Sequence, residues 1–136
     1  MKNNYIHAFL LGAVLIVLTT SAHAEFPAGL WKVSQFDFLD KHQINTVEYC
    51  LFSDRTIKGI STNVIPWQGH WKQSGTHVLL RLRYDDGNLV ASYELNRISS
   101  KEMSGFGQSW ELTDTSSGFF TYGNWQLIGN TCNPAR

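Results

Sequence analysis

The sequence predicts an all-β protein, a small antiparallel up-and-down barrel of about eight strands carrying one disulfide. Three observations predict it. Short apolar and aromatic runs are punctuated by Gly, Asn, Asp and Ser at regular intervals, with no strong helical periodicity. A Gly-x-Trp triplet recurs as Gly29-Leu30-Trp31, Gly69-His70-Trp71 and Gly123-Asn124-Trp125. Two cysteines, Cys50 and Cys132, follow an export leader, and an even count in an exported chain reads as one bond.

The leader comes first. Lys2 opens a polar start, Phe9–Leu18 is an unbroken apolar run, and Ala22-His23-Ala24 has the small-x-small pattern of a cleavage site. The run falls short of the roughly 20 residues a membrane helix needs. Residues 1–24 are therefore predicted to be a signal peptide cleaved after Ala24, and residues 25–136 a single domain. Removing 24 of 136 residues leaves 112, enough for one modest core helped by a covalent staple. The expected location is the periplasm or the exterior. Without Lys2 the mature chain has 10 Lys and Arg against 11 Asp and Glu. That balance gives no electrostatic case for a nucleic acid or an anionic membrane surface. No membrane insertion of the mature chain is expected.

Candidate strands follow in order: Leu30–Phe38, Thr46–Phe52, Trp67–Lys72, His77–Tyr84, Leu89–Asn96, Glu102–Phe106, Gln108–Thr113 and Phe119–Ile128. Gly105 and Gly107 suit a bend or bulge between two neighbouring strands. Asp54–Ile65 reads as a strand pair or a long loop, ended by Pro66. Asp86-Gly87 predicts a two-residue hairpin turn, because Gly tolerates the positive φ such a turn needs. That register sets Tyr84 opposite Leu89, Leu82 opposite Ala91 and Leu80 opposite Tyr93. One face is then nearly all apolar, while Arg81, Arg83, Val90, Ser92 and Glu94 share the other. Either arginine can reach Glu94 diagonally.

In a strand, residues two apart share a face. A Gly two before a Trp thus leaves room for a side chain or backbone against the indole. Core packing at barrel ends accounts for this pattern. The alternative is that some indoles line a ligand cavity or a contact surface, with Trp67, Trp71 and Trp110 the better candidates. Trp31 and Trp125 sit near the chain ends, where closure is needed.

With Gly29 and Trp31 entering the first strand, the chain resembles the calycin group of lipocalins, fatty-acid-binding proteins, avidins and periplasmic metalloprotease inhibitors. The link from Cys50 to Cys132 is similar in layout to the lipocalin disulfide that ties a middle strand to the C-terminal tail. The chain length is closer to the avidins and protease inhibitors. A second local resemblance lies in Ser117-Gly118-Phe119-Phe120-Thr121-Tyr122, similar to the Ser-Gly-x-x-Tyr segment of periplasmic lysozyme inhibitors. There the Ser and Tyr contact the lysozyme active site, which would implicate Ser117 and Tyr122, although the spacing here is one residue longer. The competing reading is a hairpin turn followed by an aromatic strand.

No catalytic constellation emerges. His42, His70 and His77 lack neighbouring ligands at metal spacing. Asp85 and Asp86 sit in a turn. There is no Gly-x-Ser-x-Gly elbow and no phosphate-binding glycine loop. No cofactor is expected. Aromatics are 13% of the chain and charged residues only 16%, so some aromatics should be exposed, and exposed aromatic clusters mark contact surfaces. The leading expectation is a non-enzymatic binding protein of the cell envelope that meets a protein or a small apolar ligand. The alternatives are an inhibitor of lysozyme or a protease, acting through a loop at Ser116–Asn124, and an accessory factor of a surface or secretion assembly.

Overall fold

The computed structural model describes residues 28–60, 67–85, 87–114, 116 and 118–132. The expected signal peptide, residues 61–66, Asp86 and Ser117 lie outside them. Eight strands run β1 Gly29–Asp37, β2 Gln43–Leu51, β3 Thr56–Gly59, β4 Gln68–Ser74, β5 His77–Arg83, β6 Leu89–Arg97, β7 Glu102–Glu111 and β8 Phe119–Gly129. Each pairs antiparallel with the next, and β8 pairs with β1, closing the barrel. Closure removes every free edge that a lone sheet would leave.

The interior is set by alternation. Trp31, Val33, Val47, Tyr49, Leu51, Ile57, Trp71, Leu80, Leu82, Tyr93, Leu95, Met103 and Trp125 point inward and are all buried. Fully burying each large apolar side chain contributes about 1.5–3 kcal/mol. All three Gly-x-Trp indoles belong to this core, so packing explains the triplet. Two glycines show how. At Gly69 the β5 backbone at Arg81 occupies the place of a side chain. At Gly123 the Trp125 indole folds back along its own strand, with Nε1 2.9 Å from where a Cβ would stand.

Three expectations need correction. The segments Glu102–Phe106 and Gln108–Thr113 are one strand, β7. Its glycines do not divide it: the Tyr93 ring of β6 lies where a Gly107 side chain would be, and the β6 backbone does the same at Gly105. The eighth strand is instead β3, within the stretch left open between strand and loop. Five residues, 84–88, separate β5 from β6, more than the two of the expected turn. Tyr84 N–H donates to the Leu89 carbonyl and Gly87 N–H to that of Tyr84, both at 2.8 Å. The register survives, with Leu80 opposite Tyr93 and Leu82 opposite Ala91. No ion pair joins Arg81 or Arg83 to Glu94 among the described residues.

The barrel has two unlike ends. At one, the β2–β3 turn packs under Trp71. The indole Nε1 donates to the Phe52 carbonyl at 3.0 Å, and the Arg55 guanidinium lies 4.3 Å from the ring centroid. Arg55 adopts φ +73°, a position that favours glycine. The Cys50–Cys132 disulfide closes the same end, with Cα atoms 5.7 Å apart. Cys50 faces outward between inward Tyr49 and Leu51, yet is fully buried. The segment after β8 crosses β1 at Leu30 to reach it, since Leu30 pairs with both Gly129 and Cys50. The other end is the mouth.

Candidate functional site

The mouth is narrow. Gln35 Nε2 donates to the Tyr93 hydroxyl at 2.9 Å, and the buried Tyr49 phenol lies close to that of Tyr93. Burial pushes both phenols above their usual range, Tyr49 further because the Tyr93 phenolate would sit beside it. Above these side chains remains a cavity of about 120 Å³, bordered by Trp67 and Phe119. Ligand pockets for drug-sized molecules span about 300–1,000 Å³. The filled interior therefore offers no wide apolar cavity among the described residues.

The outer wall beside the mouth is different. On β8, inward Trp125 fixes Thr121 and Gly123 inward and Phe120 and Tyr122 outward. On β7, inward Gly105 and Gly107 place Phe106 outward. Phe36 of β1 pairs with Tyr122, and Tyr122 pairs with Phe106, so the three form one row across β1, β8 and β7. Phe106 and Tyr122 meet edge to face, centroids 5.4 Å apart.

The β1–β2 loop adds Phe38 to this row. The Asp37 carboxylate accepts the N–H groups of Leu39 (2.7 Å) and Asp40 (3.2 Å), which tightens the turn. Lys41 Nζ donates to the Phe38 carbonyl at 2.6 Å and sits 4.5 Å from its ring centroid. The held ring meets Phe106 edge to face at 5.5 Å. His42 bonds Asp40 in the same loop, and hydrogen bonds from His42 lower the Asp40 pKa. Phe106 and Phe120 remain 53% and 57% exposed. Offset aromatic pairs contribute about 0.5–1.5 kcal/mol beyond area burial, so the row is ordered although it faces solvent.

The residues singled out by sequence disperse. Trp67 stands at the mouth, edge to face with Tyr84 at 5.4 Å. Trp71 is a core residue at the closed end. Trp110 points outward on β7 and lines a groove on the opposite side of the strand ladder from Phe36. Tyr122 is in the aromatic row, and Ser117 lies outside the described residues. Of the segment Ser116–Asn124, Phe119–Asn124 is strand. Alternation counted back from Trp125 identifies Phe120 and Tyr122 as outward, a signal present in the sequence. Phe36 and Phe38 needed the bulge after Gln35 and the turn geometry.

No group of three or more His, Cys, Asp or Glu converges among the described residues. No helix among them is long and apolar enough to cross a membrane. No protein-family profile and no curated protein sequence matches this chain.

Proposed function

We propose that this chain is an exported, non-enzymatic binding protein of the cell envelope, and that it meets a protein partner through the outer aromatic row. The row is the observation that carries the reading. Four aromatic side chains, Phe36, Phe38, Phe106 and Tyr122, are held edge to face or in register on one wall, with Phe120 beside them. Preorganised aromatics of this kind dominate protein contacts, because little conformational freedom is lost when they are covered. The small mouth cavity argues against carriage of a bulky apolar ligand.

The disulfide fits a non-reducing compartment, and with the leader it supports a periplasmic or secreted location. Charges lie outside and apolar side chains inside, the reverse of a membrane barrel. The fold is read as calycin-like on the same grounds as before: a closed antiparallel barrel, Gly29-Leu30-Trp31 entering β1 with the indole inward, and a disulfide to the C-terminal segment.

The test is affinity capture from envelope extract with the disulfide-bonded mature protein as bait. A Phe106→Ser/Phe120→Ser double variant, matched in thermal stability, serves as control. Loss of one specific protein with the variant is expected, since hot-spot aromatics contribute about tenfold or more each to affinity. Identical captured sets would refute the reading.

A further inference from the structure

A groove of about 760 Å³ lies not in the barrel but on its outer wall, across β3 to β7. Its floor is built by register. Lys58 pairs with Gln68, Gln68 with Arg83, Arg83 with Val90 and Val90 with Trp110. That row crosses four strand spacings of about 4.8 Å, about 19 Å in all. The next row sets Arg81 between His70 and Ser92, and Ser92 beside Gln108.

Charge is one-sided here. Lys58, Arg81 and Arg83 face a single carboxylate in the groove lining, Glu94, and none of the four is in an ion pair among the described residues. Arg81 and Arg83 are two residues apart on one face of β5, within about 7 Å. Like charges so close repel each other. The chain as a whole has a formal net charge of zero, so this concentration does not follow from composition. A groove with cations along its floor, neutral amides and hydroxyls between them and an indole at its end fits a chain of sugar rings bearing carboxylates. The guanidinium groups pair with carboxylates, the amides with hydroxyls, and the Trp110 face with the apolar side of a ring. An acidic peptide fits less well, because a closed barrel has no edge to which a strand can add.

We propose that the β3–β7 groove binds an acidic oligosaccharide of the uronic-acid type. This site is separate from the aromatic row and stands without it. The experiment is calorimetric titration of the disulfide-bonded mature protein at low salt with hexagalacturonate, maltohexaose and a hexaglutamate peptide. Hexagalacturonate is expected to bind and to weaken as salt rises, while maltohexaose and the peptide bind at least tenfold more weakly. Arg81→Gln/Arg83→Gln should reduce affinity by about tenfold or more, and Phe106→Ser should leave it unchanged. If the double variant melts early, Lys58→Gln gives the same comparison from an exposed position on β3. No binding of hexagalacturonate, equal binding of hexaglutamate, or unchanged affinity in the arginine and lysine variants would overturn the proposal.

Discussion

Reducing the Cys50–Cys132 bond is expected to remove about 4.5 kcal/mol of folding stability. The cysteines are 82 residues apart. Closing a loop of that size costs the unfolded chain about 15 cal/mol/K of entropy, or about 4.5 kcal/mol near room temperature. Domains of this size are stable by only about 5–15 kcal/mol, so the bond represents a large share. The structure explains why the effect should approach the full value. Cys132 lies beyond the last strand and reaches Cys50 by crossing β1, and the loop it closes contains β3 to β8. The assay is urea unfolding followed by Trp fluorescence, with and without reductant. At a slope of about 1.5 kcal/mol/M, the midpoint should fall by about 3 M. Reduction of the native protein is preferable to Cys50→Ala, which would also leave a void at a fully buried position. A loss under about 1 kcal/mol would refute the reasoning. It would mean that the unfolded loop is already constrained or that the segment after β8 does not depend on the bond.

Three further outcomes are expected. Arg55→Ala should be about 1 kcal/mol less stable than Arg55→Gly in the same urea assay, because both lose the Trp71 contact but only Ala keeps the φ +73° strain. Gly107→Ala should destabilise by about 1–3 kcal/mol through overpacking against the Tyr93 ring, whereas Gly75→Ala, in open space, should lose only its backbone term. Stability should be insensitive to Tyr49 and Tyr93 below about pH 10 and fall above it. Burial raises both phenols, so beyond the ordinary tyrosine pKa the unfolded chain sheds protons that the folded chain keeps. Spectroscopic titration of phenolate should show those two ionising only as the protein unfolds.

Much of the fold was legible because alternation and burial agree. The β5–β6 pairing is the clearest case: Leu80, Leu82, Ala91 and Tyr93 made sense on one face only in the native register. β3 was not legible, because Thr56–Gly59 has four residues and a single inward side chain, Ile57, too few to display a period. β7 was misread at its glycines. A sequence does not distinguish a glycine that bends a strand from one that makes room for a ring on its neighbour. Core packing was legible for the Gly-x-Trp indoles Trp31, Trp71 and Trp125, whereas of the contact candidates Trp67, Trp71 and Trp110 none belongs to the aromatic row. Trp71 fills the closed end, whereas the exposed aromatic row is built from Phe36, Phe38, Phe106 and Tyr122. Its assembly depends on pairing β8 with β1, the closure of the barrel, which no local pattern announces. The cationic groove is non-local in the same way: Lys58 meets the arginines of β5 only across β4.

The most direct measurement of the central claim is photocrosslinking in the producing cells from a benzophenone side chain at Phe120, compared with one at exposed Lys32 on β1. Position 120 should yield a discrete adduct with one envelope or secreted protein, lost when Phe106→Ser is added, and position 32 should yield none. No adduct at 120, or the same adduct from both positions, would contradict the assignment of the aromatic row as the contact surface.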